Sequence, residues 1–132
     1  MIYRRAEDTV GTPNYVEADG FVSMRLAVAK DNLGFSVTEA IGSADIKLEV
    51  EHKNHIEAVY VLDGTGTVEI LETGEIYKLA PGVFYAFDKH ERHRYVLDTE
   101  VRAIAIFNPP LVGDEVNDES GGYPVGPENA DG

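Results

Sequence analysis

Residues 51–93 read EHKNHIEAVYVLDGTGTVEILETGEIYKLAPGVFYAFDKHERH, and this stretch decides the fold. In its first half Ile56, Ala58, Tyr60 and Leu62 fall on one face of an extended chain, while His55, Glu57, Val59 and Val61 fall on the other. That period of two is the mark of a strand. Asp63-Gly64-Thr65-Gly66 and Thr73-Gly74 lie between alternating segments and read as hairpin turns. Ala80-Pro81-Gly82 is a further turn before the short strand VFYAF. Glu57 is the residue out of character, because a carboxylate on a valine face is costly to bury without a partner or a cation. Its plain alternative is a strand face open to solvent. Two hairpin-like segments bring Glu57, Tyr85 and His93 toward one cavity, and those three side chains are the candidate metal site. Taken singly, Tyr85 reads as a core tyrosine and each histidine as structural or exposed.

Upstream of this stretch, IYRR near the start is a candidate edge strand, and Glu7 to Asp19 is polar and broken by Gly11 and Pro13. In FVSMRLAVAK, Phe21, Ser23, Arg25, Ala27 and Ala29 share one face, and Val22, Met24, Leu26 and Val28 form an apolar one. Asp31-Asn32-Leu33-Gly34 is a turn signal, followed by the strand patterns FSVTEAI and DIKLEV. Downstream, RYVL and VRAIAIFN add strands before Asn108-Pro109-Pro110 stops the last one. No segment carries the apolar period of a helix. Many short strands at close spacing predict an all-β, antiparallel sandwich or barrel. The expected division is one domain over residues 1–121 and a mobile acidic tail over 122–132, too rich in Gly, Pro and acid to pack.

Composition narrows the partners. The chain has 132 residues, enough for one core, and no cysteine, so neither a disulfide nor a thiolate ligand is available. A net charge of -13 argues against nucleic acid and anionic membranes, which need clustered Lys and Arg. No apolar run is long enough to cross a bilayer. These features predict a soluble, cytoplasmic protein.

The acidic residue followed by Gly64, and later a Pro-Gly turn with Tyr85 three positions beyond the glycine, resemble the two motifs of the cupin barrel. The resemblance implies a single-domain double-stranded β-helix, a jelly-roll-like antiparallel barrel. The first-motif histidine pair of an ordinary cupin is missing, with Glu49, Val50 and Glu51 in its neighbourhood, and Tyr85 stands where the second-motif histidine belongs. What is left is a carboxylate, a phenolate and an imidazole, a hard oxygen and nitrogen set suited to iron. An oxygenase triad needs two histidines beside the carboxylate, and in this reading only His55 is available as the second.

KNHIEAVYVLDGTG (53–66), PGVFYAFDKHERH (81–93), FNPPLVGDEVNDESGGYP (107–124) and LGFSV (33–37) together resemble the ectoine synthase family, and the likeness runs nearly the whole chain. It implies a metal-dependent closure of N-γ-acetyl-L-2,4-diaminobutyrate to the compatible solute ectoine with loss of water. The implied metal is ferrous iron, with another divalent ion as the alternative, and the implied ligands are Glu57, Tyr85 and His93. It further places Arg25, His55, Gly64 and Phe107 at the pocket, and assigns catalysis to Glu115 together with Tyr85 and Glu57. Other positions depart from the family: Phe21 replaces a tryptophan, Thr38 an asparagine or similar residue, Ala40 a threonine, His52 a tyrosine, Ala105 a cysteine and Asn117 a histidine. Phe21, Thr38, His52 and Asn117 are still expected to meet the substrate. The altered wall keeps two rivals open, a paralogue acting as cyclase or hydrolase on another small N-acylated amino acid, and a non-catalytic binding cupin. The edge strand IYRR and the resemblance both point to a head-to-tail homodimer.

Overall fold

The computed structural model describes residues 1–112. Its strands are β1 (Tyr15–Ala18), β2 (Phe21–Ala27), β3 (Ser36–Gly42), β4 (Lys47–Val50), β5 (Ile56–Asp63), β6 (Gly66–Ile70), β7 (Ile76–Leu79), β8 (Phe84–Phe87), β9 (His93–Leu97) and β10 (Val101–Asn108). The only helical pieces among the described residues are short 3-10 turns at Ala6–Thr9 and Ala29–Asp31, and no helix there is long and apolar enough to cross a membrane. The strands form a six-stranded sheet in the order β1-β2-β3-β10-β5-β8 and a four-stranded sheet in the order β4-β9-β6-β7. Every pairing is antiparallel. From β3 onward the chain passes repeatedly from one sheet to the other, which is the jelly-roll-like barrel the alternating pattern predicts.

The core lies between the sheets. Val50, Val61, Val68, Leu79, Phe87, Tyr95, Leu97 and Val101 form one buried cluster, and Val59, Ala103, Ala105, Phe107 and Leu111 form another. Each valine, leucine or phenylalanine so buried contributes about 1.5–3 kcal/mol. The chain leaving β10 is tied back across β3, since Leu111 donates its N–H to Ser36 Oγ (3.0 Å) and accepts from the Ala29 N–H (2.7 Å).

Three local readings change. Asp63 to Gly66 is not a hairpin: β5 lies beside β10 and β8, while β6 lies beside β9 and β7 in the other sheet. The glycines serve a corner where the chain changes sheets. Thr65 O accepts from the Asp98 N–H at 3.0 Å, and the Thr65 N–H donates to Thr99 Oγ1 at 2.9 Å, so this corner is bonded to the one between β9 and β10. Thr73-Gly74, by contrast, does join the paired strands β6 and β7.

IYRR is not a strand either. The Arg4 guanidinium donates to the Leu26 carbonyl (2.7 Å) and to both oxygens of Asp31 (2.8 Å each), which lays this segment across the end of β2. Arg4 is also the main cause holding the Asp31 carboxyl down to about 2, with help from the Val28 N–H. The edge strand is instead β1, inside the stretch expected to be irregular. FVSMRLAVAK is extended only to Ala27, with a register shift between Arg25 and Ala27. Its apolar face, with Met24, is turned away from the barrel interior and is packed on the Ala6–Thr9 turn, whereas Phe21, Ser23 and Arg25 face inward.

Gly64 has φ +95, and a Cβ there would run into the Glu100 carbonyl and lie 2.7 Å from Val101 Cα. Gly64→Ala combines left-handed backbone strain with a backbone collision, so it should destabilise the fold by about 2 kcal/mol or more. Chemical denaturation with an unchanged slope and a lower midpoint is the expected reading.

Candidate functional site

The site is assembled from the inner face of β5 outward. Glu57, Val59 and Val61 are all buried there. In the ladder Glu57 stands between Phe107 on β10 and Phe87 on β8, and Val59 stands between Ala105 and Tyr85. Directly opposed residues share a face, so Glu57 and Tyr85 are diagonal neighbours on the interior wall. Phe84, next to Tyr85, points outward and is 66% exposed. The other sheet supplies His93, which opens β9 opposite Val50 and Ile70. His52 comes from the connection between β4 and β5, where the chain crosses from the four-stranded to the six-stranded sheet.

His52, Glu57 and His93 are each buried, and each offers a ligand atom within 4.8 Å of the others. His52 Nε2 is 3.3 Å from Glu57 Oε1. This group can hold a metal ion. His93 is prepared for that role. Its Nδ1 lies 2.9 Å from the Glu91 carbonyl, which only accepts, so Nδ1 carries the proton and Nε2 is left with its lone pair. That Nε2 is buried without a hydrogen-bond partner among the described residues. The ring stacks on Phe87 with centroids 3.7 Å apart and planes 7° from parallel. Burial lowers the His93 pKa, partly offset by the Glu91 carbonyl and the Glu57 charge, which keeps the imidazole neutral at pH 7.

The loop carrying His52 is clamped from the other run of the sequence. His90, at φ +56, donates its Nδ1 proton to the His52 carbonyl at 2.7 Å and to the His55 carbonyl at 3.2 Å. Tyr85 shares a hydrogen bond of 2.9 Å with the Tyr95 hydroxyl. Burial first, and then the charge of Glu57, push its ionisation upward, with the Tyr95 contact opposing them.

Phe21, Arg25, Thr38, Ala40, His52, Glu57, Tyr85, Ala105 and Phe107 all line one cavity between the sheets. The cavity measures about 100 Å³; since one water needs at least about 10–15 Å³ of such space, it admits a molecule of roughly seven to ten non-hydrogen atoms. Arg25 is only 2% exposed, an unusual position for a guanidinium unless it serves an anion or a structural acceptor. His55 does not line this cavity; it is fully buried with its ring edge-on to Phe107 at 5.9 Å. Gly64 belongs to the sheet corner, not to the cavity wall. Glu115 and Asn117 lie outside the described residues, as do the expected domain end at 121 and the tail.

His52 is the residue whose position changes most from expectation. The second imidazole near the carboxylate is His52 and not His55. His52 precedes the alternating stretch, so strand periodicity gave it no direction, and only its departure from the family's tyrosine marked it. Tyr95, the partner of Tyr85, was not singled out either; its alternation with His93 and Leu97 was the available signal.

A jelly-roll barrel with a small cavity that ends at a buried imidazole and carboxylate cluster defines a protein of the cupin class. A family profile described as Ectoine synthase matches residues 1–127. L-ectoine synthase of Sphingopyxis alaskensis is 45% identical over 130 residues, covering 98% of this chain and 95% of that protein. L-ectoine synthase of Mycolicibacterium vanbaalenii is 43% identical over 125 residues, covering 95% and 96%. The crystal structure of ectoine synthase from P. lautus superposes with a TM-score of 0.82 at 37% identity, covering 86% of this chain and 81% of that one. The polyketide cyclase RemF from Streptomyces resistomycificus, at 18% identity and a TM-score of 0.66, covers 91% of this chain and 89% of its own and shares the fold alone. The chain belongs to the ectoine synthase family.

The raised ionisation of Tyr85 has a sign that can be measured. Without a cation the folded protein keeps the phenol neutral, whereas an unfolded tyrosine ionises near pH ~10. Stability from this group is therefore full below about pH 10 and is lost as pH rises beyond it. In metal-free protein, the ultraviolet difference between wild type and Tyr85→Phe should show no phenolate at about pH 10. A full tyrosinate signal from Tyr85 at that pH would contradict the buried environment described.

Proposed function

We propose that this protein closes N-γ-acetyl-L-2,4-diaminobutyrate to ectoine with loss of water, using a divalent metal, ferrous iron by family resemblance, at Glu57, Tyr85 and His93. The observation that carries the reading is the buried cluster of Glu57 and the neutral imidazole of His93: Glu57 lines a cavity whose wall also holds the buried guanidinium of Arg25, and His93 stands next to Glu57 without itself lining the wall. The donor set suits such a cation: a carboxylate oxygen, a buried imidazole nitrogen with no partner among the described residues, and a phenol one strand away. A cation bound there supplies Lewis acidity to an amide carbonyl.

The chain's own residues account for the rest. Arg25 receives the substrate carboxylate in a fork of donors and so fixes one end of the molecule. The cavity admits about the size of this substrate and excludes most water, which folds the free amine toward the acetamide carbon. The new carbon–nitrogen bond forms there, the carbonyl carbon–oxygen bond breaks, and the oxygen leaves as water with two protons from the nitrogens. Glu115, outside the described residues, is the assigned proton carrier on the strength of the family resemblance. The acidic surface and the absence of cysteine accord with a cytoplasmic enzyme that meets neither nucleic acid nor membrane.

A second reading has its own support. Phe21, Thr38, Ala40, His52 and Ala105, five departures from the family pattern, all lie on the cavity wall, so another small N-acylated amino acid is the alternative substrate. Iron-loaded protein incubated with N-γ-acetyl-L-2,4-diaminobutyrate should yield a product lighter by one water. Glu57→Gln should lower the rate by at least about a hundredfold, the upper end of what loss of an outer-shell partner costs. Arg25→Gln should raise KM by about tenfold to a hundredfold. Metal-loaded protein that leaves this substrate untouched but cyclises or hydrolyses a different N-acyl amino acid would decide for the alternative.

We also propose a homodimer, on different ground from IYRR. On the outer face of the six-stranded sheet, Tyr60 pairs with Phe84 on one side and Ile104 on the other, beside Ile106, and Tyr60, Phe84 and Ile106 are exposed. A contiguous apolar face of this kind favours burial against a second copy. Tyr60→Asp should shift the mass in light scattering from dimer to monomer, while a wild-type monomer at working concentration would sink the assignment.

A further inference from the structure

In the family pattern the position of His52 is held by tyrosine, and nothing in that pattern makes it a ligand. The structure brings this side chain to the metal cluster. We propose that His52 is a direct ligand of the metal ion in this protein, through Nε2, alongside Glu57 and His93. The inference rests on the reading that the cavity holds a divalent metal.

Three observations support it. First, the distances suit coordination: bonds of about 2.1 Å at right angles place donor atoms about 3 Å apart, and His52 Nε2 already stands 3.3 Å from Glu57 Oε1. No two ligand atoms of the cluster are more than 4.8 Å apart, and such spans close with side-chain adjustments on the order of an ångström. Second, His52 is 5% exposed and lies on the cavity wall, while its ring is held edge-on to Phe107 with centroids 5.3 Å apart. Third, its backbone is fixed by the His90 proton at 2.7 Å, a contact between the two runs of sequence that supply the other donors. His90 is thus a positioning residue for His52.

The chemical consequence is a change of donor set. Two imidazoles and a carboxylate, with Tyr85 as a fourth donor, hold more nitrogen than the carboxylate, phenolate and single imidazole that the family pattern implies. Imidazole suits zinc, copper, nickel and iron, and affinity at such sites rises from iron through cobalt to nickel. The protein should therefore retain cobalt or nickel more tightly than iron, and should lose part of that retention with His52.

X-ray absorption on the cobalt-loaded full chain counts imidazoles directly by their ring scattering. Wild type and His55→Phe should show two, and His52→Phe one. In competition with a chelator, His52→Phe should lose at least about tenfold in cobalt affinity, the lower end of what removal of an outer-shell partner costs. His90→Ala should lose less while keeping two imidazoles. The wild-type spectrum stands by itself should His52→Phe fail to fold. One imidazole in stoichiometrically loaded wild type would overturn the role of His52 and leave the metal site intact. Failure of the wild type to bind cobalt or ferrous iron in stoichiometric amount would overturn both.

Discussion

Glu57 sits between two phenylalanines, Phe107 and Phe87, on neighbouring strands, and is followed along its own strand by valines. An ionised carboxylate in such a place has lost most of its water, and the protein must return the lost interaction in some other form. Polar groups from distant parts of the chain surround it, and of these His52 Nε2 stands 3.3 Å from Glu57 Oε1. His52 arrives from the connection between β4 and β5, His93 from the first residue of β9, and Tyr85 from the neighbouring strand β8. Much of the local design serves to hold these groups still, including the His90 clamp, the Glu91 carbonyl behind His93 and the Phe87 ring stacked against it.

The two-sheet arrangement makes this gathering possible. A flat antiparallel sheet would place Glu57 and His93 on separate strands with no means of facing each other. Because the chain changes sheets between β4 and β5 and again between β8 and β9, one wall carries the carboxylate and the facing wall the imidazole. The corner at Gly64 belongs to the same logic, since it must let two chain reversals approach within hydrogen-bonding distance. Substrate-sized space remains between the walls because Ala40, Ala103 and Ala105 line it with small side chains.

Much of this was legible in the sequence where a local rule applied. Alternation put Glu57 on the valine face and Phe84 opposite to Tyr85, and the strand at Val101–Asn108 ended where the prolines begin. The family likeness carried Arg25, Thr38 and Phe107 to the cavity. Where local chemistry is ambiguous the reading failed. Asp-Gly followed by Thr-Gly satisfies the backbone needs of a hairpin and of a sheet-changing corner equally well, and only long-range pairing separates them. Arg4 finds Leu26 and Asp31 across the fold, so no window around IYRR contains the reason it is not a strand. His52 falls in a loop, where periodicity says nothing about direction, and its proximity to Glu57 is a property of the crossing between sheets.

Phe21, Arg25, Thr38 and Ala40 belong to the pair β2 and β3, while Glu57, Tyr85 and His93 belong to β5, β8 and β9. The two groups therefore stand on different strands of one barrel, and β10, which pairs with both β3 and β5, joins them. A substitution at residue 38 or 40 can reshape what the cavity accepts without moving a donor of the reactive cluster. Small steps in the β2 and β3 wall can change the cavity while Glu57, Tyr85 and His93 stay where they are, and the same separation serves anyone redesigning the barrel.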